Sequence, residues 1–323
     1  MSYKVLIPQD IPREGKDFLL EKGYEIKMSS GITEEAIKND IEDCDAIILR
    51  TAVLTDAIVM SAPKLKVISR YGVGVDNIPV AKAEEMGIWV ATAQTANANT
   101  VAEAAVTFIA ALGKRFKEID IDFCVKGNYN IRNQLMGNDL EGKVVSILGF
   151  GRIGKLVAKK CALGFGMKIL VYDPYIKKDQ IPDYIELVDS WEEMFSRGDF
   201  LSIHMPYTGE KLVTSRELQL MKPSAYFINV ARGALVDEAA LIEALNNKQI
   251  AGTGLDVFEP EPPEKDNPLL HMDNVIAQPH SAALTKECTI RMSLHAAQNV
   301  DDVLSGKVPS WPYNKPLAPR NLK

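Results

Sequence analysis

The stretch Val144-Val-Ser-Ile-Leu148-Gly149-Phe-Gly151-Arg-Ile-Gly154 decides the fold. An apolar run of strand length leads into a GxGxxG turn, and Ile153–Leu163 reads as a helix after it. In that context each glycine has a separate duty. Gly149 permits a tight turn, Gly151 lets the backbone approach a pyrophosphate, and Gly154 lets helix and strand pack closely. The helix start then offers unpaired N–H groups and a positive dipole end to phosphate. A second apolar run, Lys168–Tyr172, ends at Asp173, 19 residues beyond Gly154. A carboxylate there accepts bonds from ribose hydroxyls and repels a 2′-phosphate, which implies NAD rather than NADP.

Outward from this unit the alternation continues. Phe200–Ile203, Tyr226–Val230, Gly254–Val257 and Val275–Ala277 read as further strands with helical segments between most of them. Upstream, Val5–Ile7, Ala46–Leu49, Lys66–Ser69 and Ile88–Val90 read as strands, and Ile11–Lys22 and Thr33–Ile41 as helices. Such alternation is the pattern of βαβ units and parallel sheets. Thr100–Lys117 reads as an alanine-rich helix capped by Asn99 or Thr100 with Glu103 as partner. The polar stretch Gly127–Gly142 reads as an extended connection, Lys286–Leu304 as a long amphipathic helix, and the proline-rich tail after Pro309 as loop. The expected class is α/β, with two doubly wound parallel-sheet domains.

Composition narrows the function. The 323 residues are 46% hydrophobic and 25% charged, which suits two ordinary globular domains and disfavours disorder. A net charge of −6 argues against a nucleic-acid partner, which requires clustered positive charge. Cys44, Cys124, Cys161 and Cys288 form no CxxC pair, so neither a metal site nor a disulfide framework is expected, and a reducing cytoplasm is. The start MSYKVLIPQD is too weakly apolar for a signal peptide, and no run approaches the ~18 apolar residues of a membrane span.

Three side chains downstream of the glycine turn can carry chemistry. Arg232 follows the strand Phe227–Val230, Glu261 lies in Phe258-Glu-Pro-Glu-Pro-Pro263, and His280 follows Val275–Ala277. Ligands of open α/β sheets bind beyond the carboxyl ends of strands, where all three fall. Singly, each has a plain structural explanation. As a set beside a nucleotide motif they point to catalysis.

These residues resemble the D-isomer-specific 2-hydroxyacid dehydrogenases, from about Ala46 to Val308. The motifs are Gly72-Val-Gly-Val-Asp-Asn77, Gly149–Gly154 with Asp173, His204-Met-Pro-Tyr-Thr208, Asn229-Val-Ala-Arg-Gly233, Leu255-Asp-Val-Phe-Glu-Pro-Glu-Pro262 and Pro279-His-Ser281. The resemblance implies a Rossmann-type NAD domain, residues 100–289, inserted in a flavodoxin-like substrate domain, residues 1–99 plus 290–323. It implies a homodimer or homotetramer joined through the helix and arm at about 100–142. It assigns His280 as the acid and base that exchanges a proton with the C2 oxygen, and Glu261 as the carboxylate that orients it and raises its pKa. Arg232 grips the substrate carboxylate, with Val73 and Gly74 amides on its other side. Arg152 and Ile153 meet the pyrophosphate, Pro206 and Thr208 flank the adenosine, Val230 and Ala231 line the nicotinamide, and Asp256 meets its carboxamide. His204 falls to the cofactor wall rather than to proton transfer. His271 and His295 lie outside the motifs.

For the substrate, Arg50-Thr51 and Arg132 resemble the phosphate-binding residues of phosphoglycerate dehydrogenases. Ala96 and Leu284 stand where D-lactate-type members carry tyrosine, and Glu261 stands where the formate-oxidising branch carries glutamine. D-3-phosphoglycerate leads, with glycerate, hydroxypyruvate or glyoxylate as the alternative. The chain ends at Lys323, so the regulatory extension of some phosphoglycerate-type members is expected to be absent. A reading of another class is an NAD(H)-sensing, corepressor-like binding protein, which keeps the same motifs.

Overall fold

The computed structural model describes residues 2–322. It divides into two compact units, Met1–Asn97 with Leu284–Lys323, and Ala98–Ala283.

The first unit holds five parallel strands: β1 (Lys4–Ile7), β2 (Glu25–Met28), β3 (Ala46–Leu49), β4 (Val67–Arg70) and β5 (Trp89–Thr92), in the spatial order β2-β1-β3-β4-β5. That is the flavodoxin-like order. β3 is a continuous apolar run and β1 and β4 are largely apolar, because both faces of a parallel sheet are covered; Val5, Leu6 and Ile7 are fully buried. β2 escapes a sequence reading. It is an edge strand, half-solvated along Glu25-Ile-Lys-Met28, so its hydrophobic signal is diluted. The helix Lys286–Leu304 packs on this sheet through Met292, Ala296, Val300 and Val303, and Thr285 caps it by accepting from the Cys288 amide at 3.2 Å. The tail is tied down: Pro312 bridges Ala91, and Thr92 donates to the Trp311 carbonyl.

The second unit holds seven parallel strands: β6 (Val144–Leu148), β7 (Lys168–Tyr172), β8 (Ile185–Leu187), β9 (Phe200–Ile203), β10 (Tyr226–Asn229), β11 (Gly252–Leu255) and β12 (Val275–Ala277). Their order, β12-β11-β10-β9-β6-β7-β8, is the dinucleotide-binding arrangement with one strand added. The order reverses between β6 and β9, and ligands of such sheets bind at that point. β8, three residues long at the other edge, is also absent from the sequence reading.

The alanine-rich helix runs Ala98–Gly113, starting before the expected cap. Asn99 and Thr100 lie inside it, and Asn99 donates to the Glu103 carboxylate along the helix face at 2.7 Å. The helix stops short of Lys117, which falls in the separate helix Phe116–Asp120 after Arg115 turns the chain at φ 54°. That helix runs on into a π-helical turn, Ile121–Val125, and the arm that follows is irregular apart from a 3-10 turn at Tyr129–Asn133.

Candidate active site

The glycine turn behaves as its spacing requires. Gly149 has φ +90°, and a Cβ there would fall 2.7 Å from Met205 Cγ and 2.9 Å from the His204 carbonyl. A Cβ on Gly154 would lie 2.2 Å from the Gly149 carbonyl, so the helix Arg152–Phe165 can sit this close to β6 only on glycine. A Cβ on Gly151 would meet no protein atom within 4 Å. Packing does not require that glycine, whereas a phosphate against the helix start does. Gly151 is also the helix N-cap, and it supplies no side-chain bond to the first-turn amides. They remain available to an anion. These features fit a dinucleotide pyrophosphate. Asp173 closes the turn from the end of β7, with Oδ2 accepting from the Phe150 amide and Oδ1 from the Tyr175 amide, both at 2.9 Å. Each oxygen keeps a lone pair for a ribose hydroxyl. Arg152 is exposed and Ile153 partly buried at the first turn, while Pro206 and Thr208 are exposed on the loop after β9.

Arg232, Glu261 and His280 arrive on the loops after three adjacent strands, β10, β11 and β12. His280 Nδ1 and Glu261 Oε2 are 2.7 Å apart, and Glu261 Oε1 accepts from the Phe258 amide at 3.0 Å. The bond to Glu261 raises the His280 pKa above its ordinary value, against a smaller opposing effect of burial and the repulsion of Arg232. Burial lifts the Glu261 carboxyl, but its bonds from His280 and Phe258 and the Arg232 charge outweigh that and hold it low. The pair therefore favours the protonated imidazole and the ionised carboxylate relative to the isolated groups.

Three further residues build this geometry; of these the sequence singles out only Asp256, and for the cofactor rather than for this turn. His280 sits in the left-handed region at φ 51°, an unfavourable conformation for a side chain of this size. Asp256 holds it there. Its carbonyl accepts from the His280 amide at 2.7 Å, and its carboxylate accepts from the Ser281 amide at 2.7 Å and the Ala282 amide at 3.0 Å. Asp256 is 2% exposed, and burial raises its pKa. The structure thus gives Asp256, read as a carboxamide contact, the task of shaping the His280 turn. Asn229 is buried and brackets the Arg232 turn, accepting from the Ala231 amide at 3.0 Å and donating to the Arg232 carbonyl at 2.8 Å. Gly233 has no room for a Cβ, which would fall 2.0 Å from the Phe258 carbonyl, so only glycine lets the Arg232 turn rest on the Glu261 loop. Val230 is buried and Ala231 partly exposed beside them.

His204 stands apart from this chemistry. Its Nε2 pairs with Ser202 Oγ at 2.9 Å, its Nδ1 is buried without a protein partner, and burial pushes its pKa down to about 3. A ring held neutral cannot be the proton donor near pH 7. Among the described residues no His, Cys, Asp and Glu group could hold a metal, and all four cysteines are free. His271 meets the Lys265 carbonyl at 3.0 Å, and His295 stacks on Trp311.

Of the remaining expected substrate contacts, Arg50, Thr51, Val73 and Gly74 lie in the first unit. Val73 and Gly74 follow β4 in the turn after Gly72 (φ +144°), and Arg70 supports that turn by donating to the Gly74 carbonyl at 2.9 Å and the Tyr71 carbonyl at 2.7 Å. Arg50 follows β3, donates to the Asp10 carbonyl at 2.7 Å and lies over the Tyr71 ring at 5.4 Å. Arg132 belongs to the other unit, on the arm, where it meets the Tyr129 hydroxyl at 3.3 Å and ring at 5.1 Å.

Residues 106–282 match the family model for the D-isomer specific 2-hydroxyacid dehydrogenase, NAD binding domain. The chain belongs to that family. It is 38% identical over 321 residues to a D-3-phosphoglycerate dehydrogenase of Methanocaldococcus jannaschii, covering 98% of this chain and 60% of that one. It is 34% identical over 322 residues to a glyoxylate reductase of Korarchaeum cryptofilum, covering 96% of this chain and 95% of that one. The chain thus spans little more than half the length of the phosphoglycerate dehydrogenases it matches most strongly, and nearly all of the glyoxylate reductase. Among solved structures, an NADPH-dependent glyoxylate/hydroxypyruvate reductase of Sinorhizobium meliloti superposes with a TM-score of 0.87 at 26% identity, covering 98% of this chain and 100% of that one. The family is one of NAD-binding enzymes, in keeping with the glycine turn. No helix of the described residues is long and apolar enough to cross a membrane.

Proposed function

We propose that this protein is an NAD-dependent oxidoreductase that interconverts a D-2-hydroxy acid and its 2-oxo acid. The observation that carries the reading is the 2.7 Å His280–Glu261 pair, with Arg232 on the neighbouring strand end of the same sheet that bears the glycine turn. The bound dinucleotide supplies the hydride exchanged with C2. In reduction His280 Nε2 donates the proton to the developing alkoxide oxygen; in oxidation it takes that proton back. Glu261 bonds Nδ1, fixing the tautomer that aims Nε2 at the substrate. Arg232 holds the substrate carboxylate with its planar fork and polarises the C2 oxygen. Val73 and Gly74 amides are assigned to the same carboxylate. Asp173 is assigned to the adenosine ribose and selects NAD. Arg152, Ile153, His204, Pro206, Thr208, Val230 and Ala231 line the cofactor.

The substrate we assign is D-3-phosphoglycerate, on the phosphate chemistry of Arg50, Thr51 and Arg132 and the likeness to phosphoglycerate dehydrogenases. The 34% identity to a glyoxylate reductase supports the second reading, a glyoxylate or hydroxypyruvate reductase. NADH oxidation by the purified protein separates them. A large kcat/KM preference for 3-phosphohydroxypyruvate over hydroxypyruvate supports the first; the reverse supports the second. Tight NADH binding without turnover of any 2-oxo acid would instead favour the sensing protein.

We assign a homodimer or homotetramer joined through the arm. Phe116, Phe123, Val125, Tyr129 and Met136 expose between 48% and 78% of their surface there, a dense apolar cluster for a solvated segment. Light scattering of the wild type, and of a variant with Phe123 and Val125 changed to Asp, tests this. We place the protein in the cytoplasm, where its four free cysteines would stay reduced.

A further inference from the structure

Thr51 ends the turn after β3 that carries Arg50, and one side chain governs how that turn is presented. Gln9, just beyond β1, accepts from the Thr51 amide and the Ala52 amide through Oε1, both at 2.8 Å. Two backbone donors on one oxygen settle which end of the amide faces them. The opposite end, Nε2, therefore donates to Thr51 Oγ1, at 2.7 Å. Asn77 holds the other side of the turn by donating to the Arg50 carbonyl at 3.1 Å and the Ala52 carbonyl at 2.6 Å. The turn is thus clasped through both its amides and its carbonyls.

A hydroxyl has one proton and two acceptor lone pairs. Because Gln9 donates to Thr51 Oγ1, that oxygen is engaged as an acceptor toward the protein and its proton is left to point away. Thr51 is exposed and follows Arg50 directly in the turn, so the proton is offered to solvent or a ligand. A donor hydroxyl beside a guanidinium suits an oxyanion, and a hydroxyl offering lone pairs would repel it.

We propose that Gln9 is a specificity-determining positioning residue: by setting the polarity of the Thr51 hydroxyl, it makes the Arg50–Thr51 turn selective for a phosphorylated 2-oxo acid over its unphosphorylated counterpart. This rests on assigning Arg50 and Thr51 to a substrate phosphate. Gln9→Glu is the discriminating change. A carboxylate still accepts from the Thr51 and Ala52 amides, so the turn keeps its shape. It cannot donate to Thr51 Oγ1 and instead accepts the hydroxyl proton, which turns the lone pairs outward.

The experiment measures kcat/KM for 3-phosphohydroxypyruvate and hydroxypyruvate with NADH, in the wild type, Gln9→Glu, Thr51→Ala and the double variant. The wild type should prefer the phosphorylated acid. Gln9→Glu should lose about tenfold or more on that substrate, mainly in KM, which corresponds to about 1.4 kcal/mol. It should retain its activity on hydroxypyruvate and its melting temperature. In the Thr51→Ala background the same change should cost much less, because no hydroxyl remains to be reversed. An equal cost in both backgrounds would reduce the effect to the added charge and overturn the proposal, as would an unchanged substrate preference in Gln9→Glu. A wild type without preference for the phosphorylated acid would overturn the phosphate assignment itself, and this proposal with it.

Discussion

Replacing Glu261 by Gln removes one charge and leaves the shape almost untouched, so its consequences can be worked from the geometry. Glu261 Oε1 accepts from the Phe258 amide and Oε2 faces His280 Nδ1. Glutamine has one acceptor oxygen. If that oxygen stays on the Phe258 amide, its NH2 group faces Nδ1, which must then act as acceptor. The imidazole becomes a neutral ring carrying its proton on Nε2, and the imidazolium loses its partner. Two unit charges about 4 Å apart attract by about 1 kcal/mol in water and about 4 kcal/mol near a protein surface. The side chains are 51% and 36% exposed, so screening places the pair toward the lower end, at about 1.5 kcal/mol. Losing that attraction lowers the His280 pKa.

The sign follows from the chemistry. Reduction needs the imidazolium, so wild-type reduction persists to a pH above the ordinary histidine value and falls as pH rises through the raised pKa. Glu261→Gln should move that fall toward acid, so kcat/KM drops up to about tenfold at alkaline pH, the equivalent of the lost pair energy, and less at acid pH. Loss of the oriented proton donor should lower activity further at every pH. The assay is kcat/KM for a 2-oxo acid with NADH across pH 5.5–9, with a melting curve to show that the fold survives. A profile superimposable on the wild type would refute the role assigned to the pair. By linkage, the pair's contribution to stability is complete below the unfolded histidine's pKa and is lost as pH rises through the folded one.

Other substitutions probe the rest of the site. His280→Ala should cut turnover about 10²–10⁴-fold in both directions, with NADH binding, followed by fluorescence, nearly intact; unchanged turnover would remove His280 from the mechanism. Asp173→Ala should lower the ratio of NADH to NADPH efficiency about tenfold or more, or about 1.4 kcal/mol. It should also loosen the glycine turn, since it frees the Phe150 amide; a constant ratio would place cofactor choice elsewhere. Gly154→Ala forces a Cβ to within 2.2 Å of the Gly149 carbonyl and should cost about 1–3 kcal/mol in stability, together with a weaker NADH affinity, checked by thermal unfolding and titration.

Much of the molecule is written locally. Runs buried on both faces announce β1, β3, β4 and β6, because a strand covered on two sides keeps few polar positions to blur the pattern. Three glycines announce the nucleotide turn, because backbone conformation and close approach are demands a short segment states for itself. Sheet order is another matter. Glu261 and His280 are 19 residues apart in sequence, and the loops after β11 and β12 set Nδ1 and Oε2 at 2.7 Å. Asp256 carried a motif-based cofactor reading, and only the tertiary structure shows its carboxylate also accepting from the two amides after His280. Nothing local shows that Gly233 is wedged against the Phe258 carbonyl, or that Gln9 reaches the turn after β3, 42 residues away. The amino-acid sequence alone determined the α/β class and the dinucleotide turn, since each depends on neighbours along the chain, and its motifs pointed to Arg232, Glu261 and His280 as candidates. Only the tertiary structure decided the partners of those residues, because hydrogen-bond geometry between loops is set by how parallel strands align, and no stretch of sequence contains both sides of such a contact.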